Sequence, residues 1–189
     1  MFSHLCDKKQ IRRKDGAPEE LCTEQFAEYD GSMTSTKARC LLLACGNTLR
    51  GDDGIGPWLA DWAQERFSEE PGLLVISRQQ WTPELAADLA AAESVLFVDC
   101  SAASEPGTVE LLEVRPARKT EGVGTHQVSA AELLGMAQEL YGSTPLRALL
   151  LTVGAGSTEL GEEFSQAVLD AIPMACAQIE AAIKRLLAP

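Results

Sequence analysis

The sequence predicts a three-layer α/β/α fold around a mostly parallel sheet, and three observations carry that prediction. Short, near-continuously apolar runs such as Leu41–Cys45 and Ser94–Asp99 read as strands buried on both faces. Segments with helical periodicity and helix-start signals separate them. Turns rich in glycine or carboxylate follow three of the strands, at Gly46–Gly56, Asp99–Ser101 and Gly154–Gly156. Ligands gather at that edge of open α/β sheets.

Taken in order, Leu41–Cys45 is the first strand, and Pro57–Phe67 follows as a helix with proline in its first turn, where a missing N–H costs little. Leu73–Ser77 is the second strand. Thr82-Pro83-Glu84 opens a helix reaching Ala92, with Thr82 as its cap, and Ser94–Asp99 is the third strand. Thr108–Val114 alternates in polarity as an edge strand does, and antiparallel pairing is allowed there. Ser129-Ala130-Ala131-Glu132 has capping-box spacing and starts a helix to Tyr141. Arg147–Val153 is the last buried strand, and Glu162–Leu187 is a long helical segment that Pro173 is expected to kink or divide.

With 189 residues, 46% of them hydrophobic, the chain has material for one core, and residues 39–189 are assigned to a single domain. Residues 1–38 are polar and aperiodic, carry the basic run Lys8–Lys14, and are expected to be a disordered extension. Gly31-Ser32-Met33 resembles a cloning scar before a start methionine, so residues 1–32 are expected to be foreign to the natural protein. Residues 1–39 hold seven acidic and seven basic side chains, which leaves the whole net charge of −12 on the body. Such a body disfavours nucleic acid and anionic lipid. Six scattered cysteines without CxxC spacing, no signal segment and no membrane-length apolar run point to free thiols and a cytoplasmic location. Cys40, Cys45 and Cys100 fall in apolar strands and read as small buried hydrophobes.

The stretch Ala44–Pro57, ACGNTLRGDDGIGP, resembles a phosphate-cradling glycine turn, since Gly46 and Gly51 have P-loop spacing. Asp52 and Asp53 then stand where lysine and a hydroxyl residue belong, and they would repel phosphate. Asp52 is read as an exposed acid complementing the dipole of the following helix, or as a hydrogen-bond acceptor that aims Asp53. Gly51 and Gly54 flank the pair, to supply positive φ or close approach. Asp99 ends an apolar strand, and His126 is the only histidine of the body, in the loop Gly122–Gln127. Two carboxylates and one imidazole suit a divalent-metal site with open positions. A closed structural zinc site lacks its second histidine and paired cysteines. A serine hydrolase lacks the Gly-x-Ser-x-Gly elbow, and Cys100 with His126 has no activating context.

With these residues assembled, the chain resembles the [NiFe]-hydrogenase maturation endopeptidases over about Leu41–Leu187. Gly46-Asn47-Thr48-Leu49-Arg50-Gly51-Asp52-Asp53-Gly54-Ile55-Gly56 is similar to the family signature Gly-Asn-x-Leu-x-x-Asp-(Glu or Asp)-Gly-x-Gly. VLFVDCSA and GTHQVS follow in the family's order, while LTVGAGSTELG lacks the Gln-Pro that some members carry. The resemblance implies that Asp53, Asp99 and His126 are the catalytic, metal-contacting residues, with Gly46, Asn47, Gly51, Asp52 and Gly54 forming the loop that carries the first of them. It implies no permanent cofactor, nickel carried by the substrate, and a hydrogenase large-subunit precursor as partner, trimmed at its C-terminal tail. A non-catalytic metallochaperone or sensor is the alternative from another class, and a nucleotide-binding protein ranks last.

Overall fold

The computed structural model describes residues 38–117, 128–161 and 163–188. The expectations for residues 1–37, and for the loop that holds His126, lie outside the described residues.

Five strands, β1 (Cys40–Cys45), β2 (Leu73–Arg78), β3 (Ser94–Ser101), β4 (Val109–Glu113) and β5 (Arg147–Gly154), form one sheet in the order β2-β1-β3-β5-β4. All neighbours run parallel except β4, which pairs antiparallel with β5 at the edge. Four helices, α1 (Ile55–Arg66), α2 (Ala86–Ala90), α3 (Ala130–Tyr141) and α4 (Gln166–Leu187), connect or follow the strands. This is the predicted architecture, including its antiparallel edge.

Alternation along the strands divides the apolar side chains between two cores, because successive residues of a strand point to opposite faces. Leu42, Ala44, Leu96, Val98 and Leu151 meet Ile55 and Leu59 of α1 and Ile172, Ile179 and Ile183 of α4. Leu41, Leu43, Val95 and Phe97 meet Leu89 of α2 and Leu133 and Leu134 of α3. All six residues of β1 are buried, which explains why that strand is apolar throughout instead of alternating.

The helix ends show where local signals succeeded. Ser129 Oγ accepts the Glu132 N–H at 3.2 Å while the Glu132 carboxylate accepts the Ser129 N–H at 2.9 Å, completing the capping box of α3. The helix after β2 is shorter than expected: a 3-10 turn over Pro83–Leu85 leads into a single α-helical turn and a half, and Thr82 caps no backbone group with its side chain. α4 starts at Gln166 under a Ser165 cap and runs unbroken through Pro173. Pro173 lies on the exposed face, while Ile172, Ala175, Cys176 and Ile179 hold the helix to the sheet. The last carbonyls of α4 are also satisfied. Arg147 donates to Arg185 O at 3.0 Å, Leu186 O at 2.8 Å and Ala188 O at 3.0 Å, and Arg39 donates to Leu187 O.

Candidate active site

The carboxyl ends of β1 and β3, with the segments that follow β2 and β5, border one cleft of about 820 Å³, and Asp53, Asp99, Cys45, Cys100, Arg50 and Trp81 are among the residues that line it. Asp53 enters on the loop after β1. Gly46 starts that loop at φ +144°, and a Cβ there would stand 1.9 Å from the Asp53 carbonyl oxygen. Only glycine lets the loop fold back onto its own strand end. The Asn47 N–H then donates to Asp53 Oδ2 at 2.9 Å, and Asn47 Oδ1 accepts from Leu49 N at 3.0 Å. Asn47 thus orients the carboxylate and closes the turn at once.

Of the two readings of Asp52, the hydrogen-bond acceptor holds and the exposed helix-start acid does not. Asp52 is fully buried. Its Oδ2 accepts the N–H groups of Gly156 at 2.7 Å and Ser157 at 2.9 Å, and its Oδ1 accepts that of Ser165 at 2.6 Å. Burial pushes its pKa up, but the hydrogen bonds from Ser165, Ser157 and Gly156 outweigh burial and hold it below the usual carboxylate range. Asp52 therefore ties the β1 loop to the β5 loop and to the start of α4. Gly51, at φ +49°, brings the same loop within reach, its N–H donating to Gly161 O at 2.6 Å while the Asp52 N–H donates to Ser157 O at 3.0 Å. Gly54 has ordinary right-handed φ, so its role is close approach alone: a Cβ there would lie 3.1 Å from Thr48 Cα.

These bonds also decide against a phosphate cradle. The N–H groups of Asn47, Arg50, Gly51, Asp52 and Asp53 all donate within the protein, which leaves no ring of free donors to hold an anion.

Asp99 reaches the cleft from the end of β3. Ala44 pairs with Val98, so the next residues, Cys45 and Asp99, lie side by side. Asp99 Oδ1 accepts from the Cys45 thiol at 3.1 Å and from the Cys100 N–H at 2.7 Å. Burial raises the Asp99 pKa; the two hydrogen bonds pull it down by less, and the nearby Asp53 charge adds to the rise. Burial, followed by the Asp53 and Asp99 charges, pushes the Cys100 thiol up to about 12, and burial with the Asp99 charge pushes Cys45 higher still. Neither is a thiolate at neutral pH, which removes the cysteine-nucleophile route.

Sequence reasoning brought Asp53 and Asp99 to one edge, and the structure puts them in one cleft. It missed Cys45, taken for a core filler. The available signal was position: Cys45 and Asp99 each stand at the end of an apolar strand run, just before a polar turn. His126 lies outside the described residues, and among those residues no three His, Cys, Asp or Glu side chains are grouped to hold a metal.

The mostly parallel sheet flanked by helices is an α/β/α fold, and its strand ends bring two aspartates to one cleft as a candidate site. The family model of HycI, hydrogenase maturation protease, matches residues 64–182, and the chain belongs to that family and is a peptidase. The matched segment holds Asp99 and begins after the Asp52-Asp53 loop. A search of curated proteins returned no match. Among solved structures, the chain is similar to the hydrogenase maturating endopeptidase HybD from E. coli, with 23% identity, a TM-score of 0.63, and 78% of this chain and 93% of that one covered. It is also similar to the [NiFe] hydrogenase maturation protease HycI from Thermococcus kodakarensis KOD1, with 27% identity, a TM-score of 0.55, and coverage of 81% and 94%. The hydrogenase 2 maturation peptidase from a Thaumarchaeota archaeon gives 26% identity, a TM-score of 0.56, and coverage of 79% and 99%. No helix among the described residues is long and apolar enough to cross a membrane.

Proposed function

We propose that this peptidase removes the C-terminal tail of a nickel-loaded [NiFe]-hydrogenase large-subunit precursor in the cytoplasm, using Asp53, Asp99 and His126. The observation that carries the reading is the placement of the Asp53 and Asp99 carboxylates in one cleft, each held by a backbone donor: Asn47 N–H for the first, Cys100 N–H for the second. Carboxylates fixed in this way are ready for a cation and poor at holding an anion. The metal is part of the substrate and no resident cofactor is required. Nickel seated in the precursor, met by Asp53, Asp99 and the His126 imidazole, polarises the scissile carbonyl or activates a water for attack. Asp52 takes no part in that exchange, because it is fully buried and both of its oxygens accept backbone N–H groups.

The test is incubation with nickel-loaded and nickel-free precursor, followed by mass spectrometry. Shortening of the loaded form alone is expected. Equal cutting of both forms defeats the nickel half of the proposal, and no cutting of either defeats the precursor as substrate.

A further inference from the structure

The loops that follow β1 and β5 meet in a short parallel bridge between Arg50 and Gly161. The Gly51 N–H donates to Gly161 O at 2.6 Å, and the Gly161 N–H donates to Leu49 O at 3.0 Å. Leu49 and Leu160 each precede a bridged residue on parallel segments, so they stand side by side. Both are open to solvent, Leu49 by 55% and Leu160 by 87%.

Single exposed leucines are ordinary on a protein surface, but two facts set this pair apart. Its backbone is fixed from elsewhere: Asp52 holds Gly156, Ser157 and Ser165, and the Arg50 Nε–H donates to Thr158 O at 3.2 Å. An apolar pair held out to water on a fixed frame is pre-organised to bind, because little is left to order on contact. The pair also adjoins the cleft. Arg50, one residue after Leu49, and Thr158, two residues before Leu160, both line it.

Position, size and charge choose the occupant. A polypeptide that lies over Asp53 and leaves the cleft past Arg50 and Thr158 meets the two leucines next. Two leucines offer far less than the roughly 800 Å² per partner that a stable complex of folded proteins buries. They suit a segment already held in the cleft, and not a second copy of this chain. With 28 acidic against 16 basic side chains, the protein repels an acidic segment and favours a neutral or basic one.

We infer that Leu49 and Leu160 form an anchoring site beside the cleft, where an apolar side chain of a neutral or basic substrate segment docks while the scissile bond lies over Asp53 and Asp99. The inference rests on the proposed precursor as substrate. The leucines hold the chain and take no part in breaking the bond.

Leu49→Ser, Leu160→Ser and the double variant are compared with Leu146→Ser, whose leucine is 91% exposed and precedes β5 at the end of the sheet away from the cleft. Thermal midpoints are expected to match the parent, since no buried contact is lost. KM on the nickel-loaded precursor should rise several-fold in each single variant and about tenfold in the double, the effect of burying one leucine, with kcat unchanged. Leu146→Ser should leave both constants as in the parent. An unchanged KM in the double variant overturns the inference, as does a fall in kcat alone, an equal rise in Leu146→Ser, or a parallel loss of midpoint and rate. A parent dimer that the double variant dissociates in sedimentation assigns the pair to a second copy and overturns it too. Should the parent leave the precursor uncut, the proposed function fails separately. The anchor is then tested by fluorescence anisotropy with a labelled peptide spanning the precursor's tail junction. Binding about tenfold weaker in the double variant supports the anchor. Equal binding by parent and variant, or none by the parent, overturns it.

Discussion

The Cys45 thiol donates a hydrogen bond to Asp99 Oδ1 across 3.1 Å, joining the ends of two adjacent parallel strands inside the cleft. Asp99 Oδ1 has a second donor in the Cys100 N–H, so the thiol fixes the plane of the carboxylate more than it neutralises its charge. Cys45→Val removes the donor and keeps the side chain apolar, adding one methyl group. Precursor cleavage is expected to fall several-fold with little change in the urea midpoint, and Cys45→Ser to recover part of the rate. A Cys45→Val enzyme as fast as the parent would show that the backbone donor alone suffices. Both cleft thiols should also resist iodoacetamide at pH 8 until the protein is unfolded, since a pKa raised to about 12 leaves almost no Cys100 thiolate.

Asp52 predicts a different failure. In Asp52→Ala three backbone N–H groups lose their acceptor, a loss on the order of 3 kcal/mol, with water recovering part of it at the exposed Gly156 and Ser157. Urea unfolding should show this loss, with precursor cleavage falling alongside it as the β1 loop detaches. The pH dependence has a definite sign. The folded pKa of Asp52 lies below its unfolded value, so its contribution is complete above about pH 4 and disappears as pH falls through the folded pKa. Asp52→Asn should therefore differ from the parent most at neutral pH and least in acid.

Asp99 has the opposite sign. Its folded pKa is raised, so ionisation is easier in the unfolded chain, and stability is lost as pH rises from the unfolded value through the folded one. Asp99→Asn is expected to be at least as stable as the parent at pH 7, with the advantage shrinking toward about pH 4, and to process no precursor. Asp53→Asn and His126→Ala are likewise expected to abolish processing with the fold intact by circular dichroism. Normal processing by any of the three variants removes that residue from the site.

Glycine substitutions separate loop geometry from chemistry. Gly46→Ala puts a methyl 1.9 Å from the Asp53 carbonyl oxygen, so the loop must leave its strand. Gly51→Val meets both a left-handed φ of +49° and the Ser157 carbonyl at 3.1 Å. Each is expected to lower cleavage and to weaken binding of a Cd²⁺ or Ni²⁺ probe by calorimetry, Gly46→Ala more severely. Lost cleavage with retained probe affinity would place the glycine in substrate docking instead.

Strand positions, the parallel sheet and the Ser129 capping box were legible because each is written within a few consecutive residues, as an apolar run or a cap spacing. The carboxylates were legible for a related reason: Asp53 follows one strand and Asp99 lies near the end of another, and parallel strands deliver their ends to one edge. Tertiary structure alone decided the rest. Asp52 lies 104 to 113 residues from the N–H groups it binds, and no local pattern distinguishes it from a solvated helix-terminal acid. The Cys45–Asp99 bond needed the strand register, because a thiol becomes a donor only when a neighbouring strand sets an acceptor beside it. The unbroken α4 required the knowledge that Pro173 faces water. Side-chain type and local period specify which elements form, whereas burial and hydrogen-bond partners depend on atoms that the chain brings together only when it folds.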